Sequence, residues 1–193
     1  IMVQEKGTIP ISTENIFPII KKFLYSDHEI FLRELVSNAV DATQKIKRLA
    51  SLGHYSKELG ELKIKVAVDK KAKTITVSDN GLGMTADEIK KYIKQVAFSG
   101  ATEFLEKFKE ANDANEIIGR FGLGFYSAFM VAEKVEIQTL SYQDGATPAR
   151  WTCDGSTEFE ISEGSRTERG TDVILYLNAD SEEFLDEHRI SEI

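Results

Sequence analysis

The sequence predicts an α+β fold: a two-layer α/β sandwich with helices on one face of a mixed, mostly antiparallel sheet. Three observations predict it. Helical periodicity dominates the first half, with its longest run at about residues 26–49. Short runs of period two dominate from residue 134 onward. Turn dipeptides, Asp144-Gly145 and Asp154-Gly155, separate those runs as they would separate sequential strands. The 193 residues suit one domain with a sizeable core, with no internal repeat, low-complexity tract or interdomain linker.

Thr13 can cap a helix over residues 13–24, with Pro18 near its first turns. Ser26-Asp27-His28-Glu29 has the spacing of a capping box and opens the long helix. Its apolar stripe is Phe31, Leu32, Leu35, Val36, Ala39 and Ile46. Residues 62–68 and 74–78 alternate around Asp69-Lys70-Lys71-Ala72, which reads as a hairpin. Thr85-Ala86-Asp87-Glu88 is a second capping box, before a helix to residue 96. A short helical run is expected at 104–108 and a buried helix at 124–132. Strands are expected at 134–140, 149–153, 157–161 and 171–177. Residues 182–193 read as a charged helix that stops without a cap. That ending, with Ile1 standing ahead of Met2, reads as a piece of a longer chain.

Composition narrows the function. Apolar residues make up 41% and charged residues 29%, as in ordinary globular proteins. A net charge of −8 argues against a nucleic-acid surface, which needs a basic stripe to displace counterions. It leaves anionic ligands open, because backbone N–H groups and a metal supply local positive potential. Cys153 is the single cysteine and sits beside Trp151, so a buried thiol in a reducing compartment is expected. His28, His54 and His188 have no zinc-type spacing. The sequence contains no apolar run of membrane length and no signal-peptide pattern, and a cytoplasmic protein is expected.

Three segments carry the chemistry. Glu34, Asn38 and Asp41 fall at i, i+4 and i+7, on one helix face beside the apolar stripe, with Lys45 one turn further. Asn is a poor interior helix former. The stripe reads either as a solvated face or as a carboxylate, an amide and a second carboxylate bordering a pocket. Asp79-Asn80-Gly81-Leu82-Gly83-Met84 follows a predicted strand. It reads either as a simple Asp-Asn-Gly turn or as a site where Asp79 accepts an amino group and the glycines let backbone approach a ligand. Gly119-Arg120-Phe121-Gly122-Leu123-Gly124-Phe125 precedes a helix, where exposed N–H groups and the dipole favour a phosphate. Phe121 and Phe125 argue against a solvated connector. Other phosphate motifs fail. There is no Gly-Lys-Ser/Thr of a Walker A loop, no adequate strand before the second glycine cluster for a Rossmann fingerprint, and no protein-kinase signature.

Taken together, Glu34–Asn38–Asp41, Asp79-x-Gly81-x-Gly83, Gly119-x-x-Gly122-x-Gly124 and Gly170-Thr171 resemble the four sequence boxes of the GHKL ATPases, which share the Bergerat fold. The closer resemblance is to the N-terminal ATP-binding domain of bacterial Hsp90-type chaperones, carried by residues 29–42, 118–129 and 169–171 and extending over nearly the whole chain. Histidine kinases generally lack an acid at the position of Glu34, which favours a hydrolase.

The resemblance implies one N-terminal nucleotide-binding domain over residues 1–193, with ATP or ADP and Mg²⁺ as ligands and a lid over about 85–118. It implies Glu34 as the general base, and Asn38 as the Mg²⁺ ligand. Asp79 would take the adenine amino group, supported by Thr171. Asp41, Gly83, Met84 and Phe125 would line the pocket, and the backbone of Gly119, Phe121, Gly122, Leu123 and Gly124 would cradle phosphates. It further implies unfolded or partly folded clients, a homodimer in the full-length protein, and a monomeric, very slowly hydrolysing isolated domain. Neither nucleic acid nor membrane is expected as a partner. Phe98, Lys91, Tyr92 and Arg120 depart from residues common at their positions, which bears on lid and phosphate contacts.

Overall fold

The computed structural model describes residues 4–8, 30–95, 128, 131–154 and 158–186. The expected helices at 13–24 and 104–108, the first capping box and the second glycine cluster lie outside the described residues.

Helix α1 spans Ile30–Ser51. All six residues of the expected stripe turn inward: Phe31, Leu32, Leu35, Ala39 and Ile46 are buried and Val36 packs against them. Thr43 joins the stripe, and its hydroxyl donates to the Val40 carbonyl at 2.8 Å, which satisfies it on burial. Strands β2 (Ile64–Asp69) and β3 (Thr74–Asp79) form the expected hairpin, with Ile64 opposite Asp79 and Asp69 opposite Thr74. Asp69 Oδ1 accepts from the backbone N–H of Lys71 (3.0 Å) and Ala72 (3.1 Å) and shapes the turn. Helix α2 (Ala86–Gln95) starts with the reciprocal capping box: Thr85 N–H donates to Glu88 Oε1 at 2.9 Å, and Glu88 N–H to Thr85 Oγ1 at 3.2 Å.

The remaining strands are β4 (Ala132–Leu140), β5 (Ala149–Cys153), β6 (Glu158–Glu163) and β7 (Gly170–Leu177). With β1 (Glu5–Thr8) they complete a seven-stranded sheet of order β1-β6-β5-β4-β7-β3-β2. Every pairing among the described strands is antiparallel, so the sheet is more uniform than the mixed one expected. Strand β4 begins two residues earlier than its alternation suggested, so the helix expected at 124–132 cannot reach Ala132. The charged helix expected at 182–193 is, where described, a short 3-10 helix, Ala179–Leu185, with Asp186 already extended. Phe184 anchors it, edge-on to Phe31 with ring centroids 5.1 Å apart.

The topology sets up the site. The last strand, β7, inserts between β4 and β3, so Thr171 lies opposite both Asp79 and Thr139. Helix α1 packs on β3 and β2. The core between the layers gathers Ile75, Val77, Val135, Ile137, Trp151, Ile161 and Leu175, with Cys153 buried as expected.

Candidate functional site

A pocket of about 220 Å³ opens between α1, the ends of β3, β4 and β7, and the loop after β3. Leu35, Ala39, Ala42, Val77, Leu82, Ile137 and Val173 give it apolar walls. Asn38, Asp41, Lys45, Asp79 and Thr171 supply its polar groups, and Gly83 and Met84 complete the lining. Six residues expected at a site from sequence therefore converge: Asn38, Asp41, Asp79, Gly83, Met84 and Thr171. The stripe on α1 borders a pocket and is more than a solvated face. Gly119, Phe121, Gly122, Leu123, Gly124 and Phe125 lie outside the described residues.

Asp79 is the chemical centre. It is 7% exposed, and its Oδ1 accepts from the Gly81 N–H at 2.8 Å. Burial pushes its pKa up from 3.8 to about 6; the N–H groups of Gly81 and Thr171 and the Arg166 guanidinium pull it down, while Asp172 opposes them. At neutral pH the group is a carboxylate held in an apolar pocket, a strong acceptor for a ligand N–H.

Beside it, Thr139 Oγ1 accepts from the Met84 N–H at 2.9 Å and lies 2.8 Å from Thr171 Oγ1 and 3.1 Å from the Gly170 carbonyl. This knot ties the loop to β4 and β7 and fixes the Thr171 hydroxyl at the pocket floor. Gly83 has φ of 65°, and a Cβ there would run into the Leu140 carbonyl. A Cβ on Gly81 would meet the Ala42 carbonyl carbon at 2.5 Å. Both glycines thus let the loop press against strand and helix. Gly83 lines the pocket as well, whereas Gly81 is not among its lining residues.

Glu34 sits one turn before Asn38, half-buried, outside the pocket lining. Desolvation raises its pKa, the direction that suits a carboxyl acting as a base near neutrality. Asp41 and Lys45 pair at 2.8 Å while largely exposed, a contact of little energetic weight.

Sequence reasoning missed Thr139, Arg166 and the side chain of Arg169. Thr139 reads as an ordinary strand residue. The arginines lie in a polar connection, and only the insertion of β7 beside β3 brings them to the site.

The residues fit a nucleotide. The apolar walls have the character of a site for a planar base, and Asp79 and Thr171 present a carboxylate and a hydroxyl to the pocket. Among the described residues no group of three or more His, Cys, Asp or Glu side chains gathers to hold a metal ion.

An antiparallel sheet backed by helices, with a buried aspartate closing the inner strand of its edge hairpin and an amide on the facing helix, is the frame of a nucleotide-binding ATPase domain. Residues 25–168 match the family described as histidine kinase-, DNA gyrase B- and HSP90-like ATPase, and the chain belongs to that family. It is 65% identical over 189 residues to Chaperone protein HtpG of Bacteroides thetaiotaomicron, covering 98% of this chain and 27% of that protein. It is 55% identical over 188 residues to Chaperone protein HtpG of Porphyromonas gingivalis, again covering 97% of this chain and 27% of the relative. The namesake in Idiomarina loihiensis is 43% identical over 191 residues, with 96% and 30% covered. The chain thus spans about a quarter to a third of the length of these curated relatives. Among the described residues no helix is long and apolar enough to cross a membrane.

Proposed function

We propose that this chain is the N-terminal nucleotide-binding domain, residues 1–193, of a cytoplasmic Hsp90-type chaperone that binds ATP and, as a full-length protein, hydrolyses it. The observation that carries the reading is the buried Asp79 carboxylate, aimed with Thr171 into an apolar pocket beside Asn38. Asp79 accepts the adenine amino group and Thr171 supports that edge. Met84, Gly83 and Asp41 border the nucleotide. Residues 119–125 offer backbone N–H groups to the phosphates. Asn38 offers its amide oxygen to Mg²⁺, whose charge offsets that of the phosphates. Glu34 takes the proton of the attacking water. Residues 85–118 act as a lid, and its closure favours pairing of two N-terminal domains. Unfolded or partly folded proteins are the clients, and neither nucleic acid nor membrane is a partner. The isolated domain is monomeric and turns over very slowly.

Calorimetric titration of ADP, with and without Mg²⁺, into this chain and into Asp79→Asn tests the reading. We expect Mg²⁺-sensitive binding that weakens at least about a hundredfold in the variant, the scale of a buried charged acceptor removed from a ligand donor. Equal binding by both would put the nucleotide elsewhere. Glu34→Ala separates a hydrolase from a pure binding module: it should leave ADP affinity within about twofold and abolish turnover in the full-length chain. Unchanged turnover would remove Glu34 from the chemistry.

A further inference from the structure

Two arginines outside the pocket converge on the turn that carries Asp79. Three successive carbonyls, those of Asp79, Asn80 and Gly81, accept hydrogen bonds from their guanidinium groups. Arg166 Nη2 donates to the Asp79 carbonyl at 2.9 Å. Arg169 Nε donates to the carbonyls of Asn80 at 2.8 Å and Gly81 at 3.1 Å. Both are themselves held. Arg166 Nη1 pairs with Asp172, its Nε donates to the Glu168 carbonyl at 2.8 Å, and its side chain is 15% exposed. Arg169 Nη1 donates to Tyr55 Oη at 2.8 Å and Nη2 to the Leu59 carbonyl at 3.0 Å, with the guanidinium 5.3 Å from the Tyr55 ring centre. Neither arginine lines the pocket.

The peptide between Asn80 and Gly81 links them to the ligand site. Its carbonyl accepts from Arg169 on one side, and its N–H donates to Asp79 Oδ1 on the other. A hydrogen bond to the carbonyl polarises the same amide and strengthens its N–H as a donor. The rigid fork also fixes where that N–H points. Arg166 holds the Asp79 backbone itself, and its positive charge favours the ionised carboxyl.

We propose that Arg166 and Arg169 are positioning residues for nucleotide binding: they set the aim of Asp79 through the backbone of its turn. The inference rests on the nucleotide reading above. Among the described residues, the charged residues that line the pocket with Asp79, act on its carboxyl or flank its turn are Asp41 and Lys45 from α1, Glu61 and Lys63 just before β2, Asp172 from β7, and, from the connection between β6 and β7, Arg166 and Arg169. Only the last two are changed in the test.

ADP affinity of this chain is measured against pH for the parent, Arg166→Lys, Arg166→Gln and Arg169→Lys, with circular dichroism confirming folding. Ile161→Val, in the core and away from the pocket, controls for lost stability. Each arginine substitution should weaken ADP roughly fivefold to thirtyfold, the scale of one or two lost charge-assisted bonds. Arg166→Gln should also move the acid midpoint of binding to higher pH, whereas Arg166→Lys should keep it near that of the parent, because it keeps the charge. Ile161→Val should leave both readings unchanged. Folded variants with parental affinity and midpoint would overturn the inference, as would losses that follow melting temperature alone. If Arg169→Lys does not fold, the Arg166 pair decides by the same readings, and if Arg166→Gln does not fold, parental affinity in Arg166→Lys overturns the proposal. Failure of the parent chain to bind ADP would instead overturn the nucleotide reading.

Discussion

The β2–β3 hairpin ends in an aspartate at both extremities, and the two have opposite fates. Asp69 closes β2 and Asp79 closes β3. Each accepts a backbone N–H two residues on, Lys71 at 3.0 Å and Gly81 at 2.8 Å. Locally the chemistry is the same: a short acid completing a turn that the backbone cannot satisfy alone. Asp69 stands in solvent, while Asp79 is 7% exposed beneath a helix and flanked by β7. What separates a turn former from a ligand group is therefore the tertiary wall around it. Asp69 shapes the fold at little cost, and Asp79 is costly to bury as an anion and is held so by neighbours that select a donor.

The harshest way to break this contrast is to collapse the wall. Gly83→Ala places a methyl group against the Leu140 carbonyl at a φ of 65°. The loop must then lift from β4 and take Met84 off Thr139. We expect a loss of roughly 3 kcal/mol in unfolding free energy and no measurable ADP binding. Chemical denaturation and calorimetry check both, and a variant with parental melting and affinity would show that the loop is not pressed against the strand.

The ionisation of Asp79 gives a sharper test with a defined sign. The folded chain holds this proton up to about pH 6, and an ordinary aspartate carboxyl releases it at 3.8. The folded state binds more protons between those values, so its stability falls as pH rises through the window. The cost at neutral pH is roughly 2–3 kcal/mol. Asp79→Asn keeps an acceptor for the Gly81 N–H and removes the charge. Without nucleotide it should be more stable than the parent by about that amount near pH 7.5, and equal to it near pH 3.5, where both side chains are neutral. Denaturant midpoints across this range give the difference directly. A constant gap would mean that Asp79 does not titrate as its burial requires. The same protonation should weaken ADP as pH falls through about 6, since the neutral acid is a poorer acceptor.

Much of this was legible in the chain. The stripe of α1, the Thr85–Glu88 capping box and the hairpin follow from periodicity and turn chemistry that act over a few residues. Strand β1 was not, because Glu5-Lys6-Gly7-Thr8 carries no apolar alternation and is held only by its pairing along β6. The site was half legible. Asp79 and its glycines announce themselves by type and spacing, but the close approach of Gly81 to the helix at Ala42 carries no sequence signal. Thr139 and Arg166 carried no local signal, and Arg169 stood out only as the neighbour of Gly170-Thr171, since their roles arise from the late strand β7 threading between two earlier ones.

The smallest expected effect completes the contrast from the other end. Asp69→Ala removes the acceptor for two backbone N–H groups, those of Lys71 and Ala72. Both donors are exposed, so water takes them over and the loss stays near 1 kcal/mol. Lys73 is already left-handed, at φ of 57°, so the four-residue turn keeps little reserve against fraying. The register from Asp69–Thr74 to Ile64–Asp79 is nonetheless held by β3 between β2 and β7, so the far end of the hairpin should not move. ADP affinity should stay within about twofold of the parent while the melting temperature drops by a few degrees. Weakened binding of the kind expected for Asp79→Asn would mean that the hairpin transmits strain along its length, and the separation between its two aspartates would be lost.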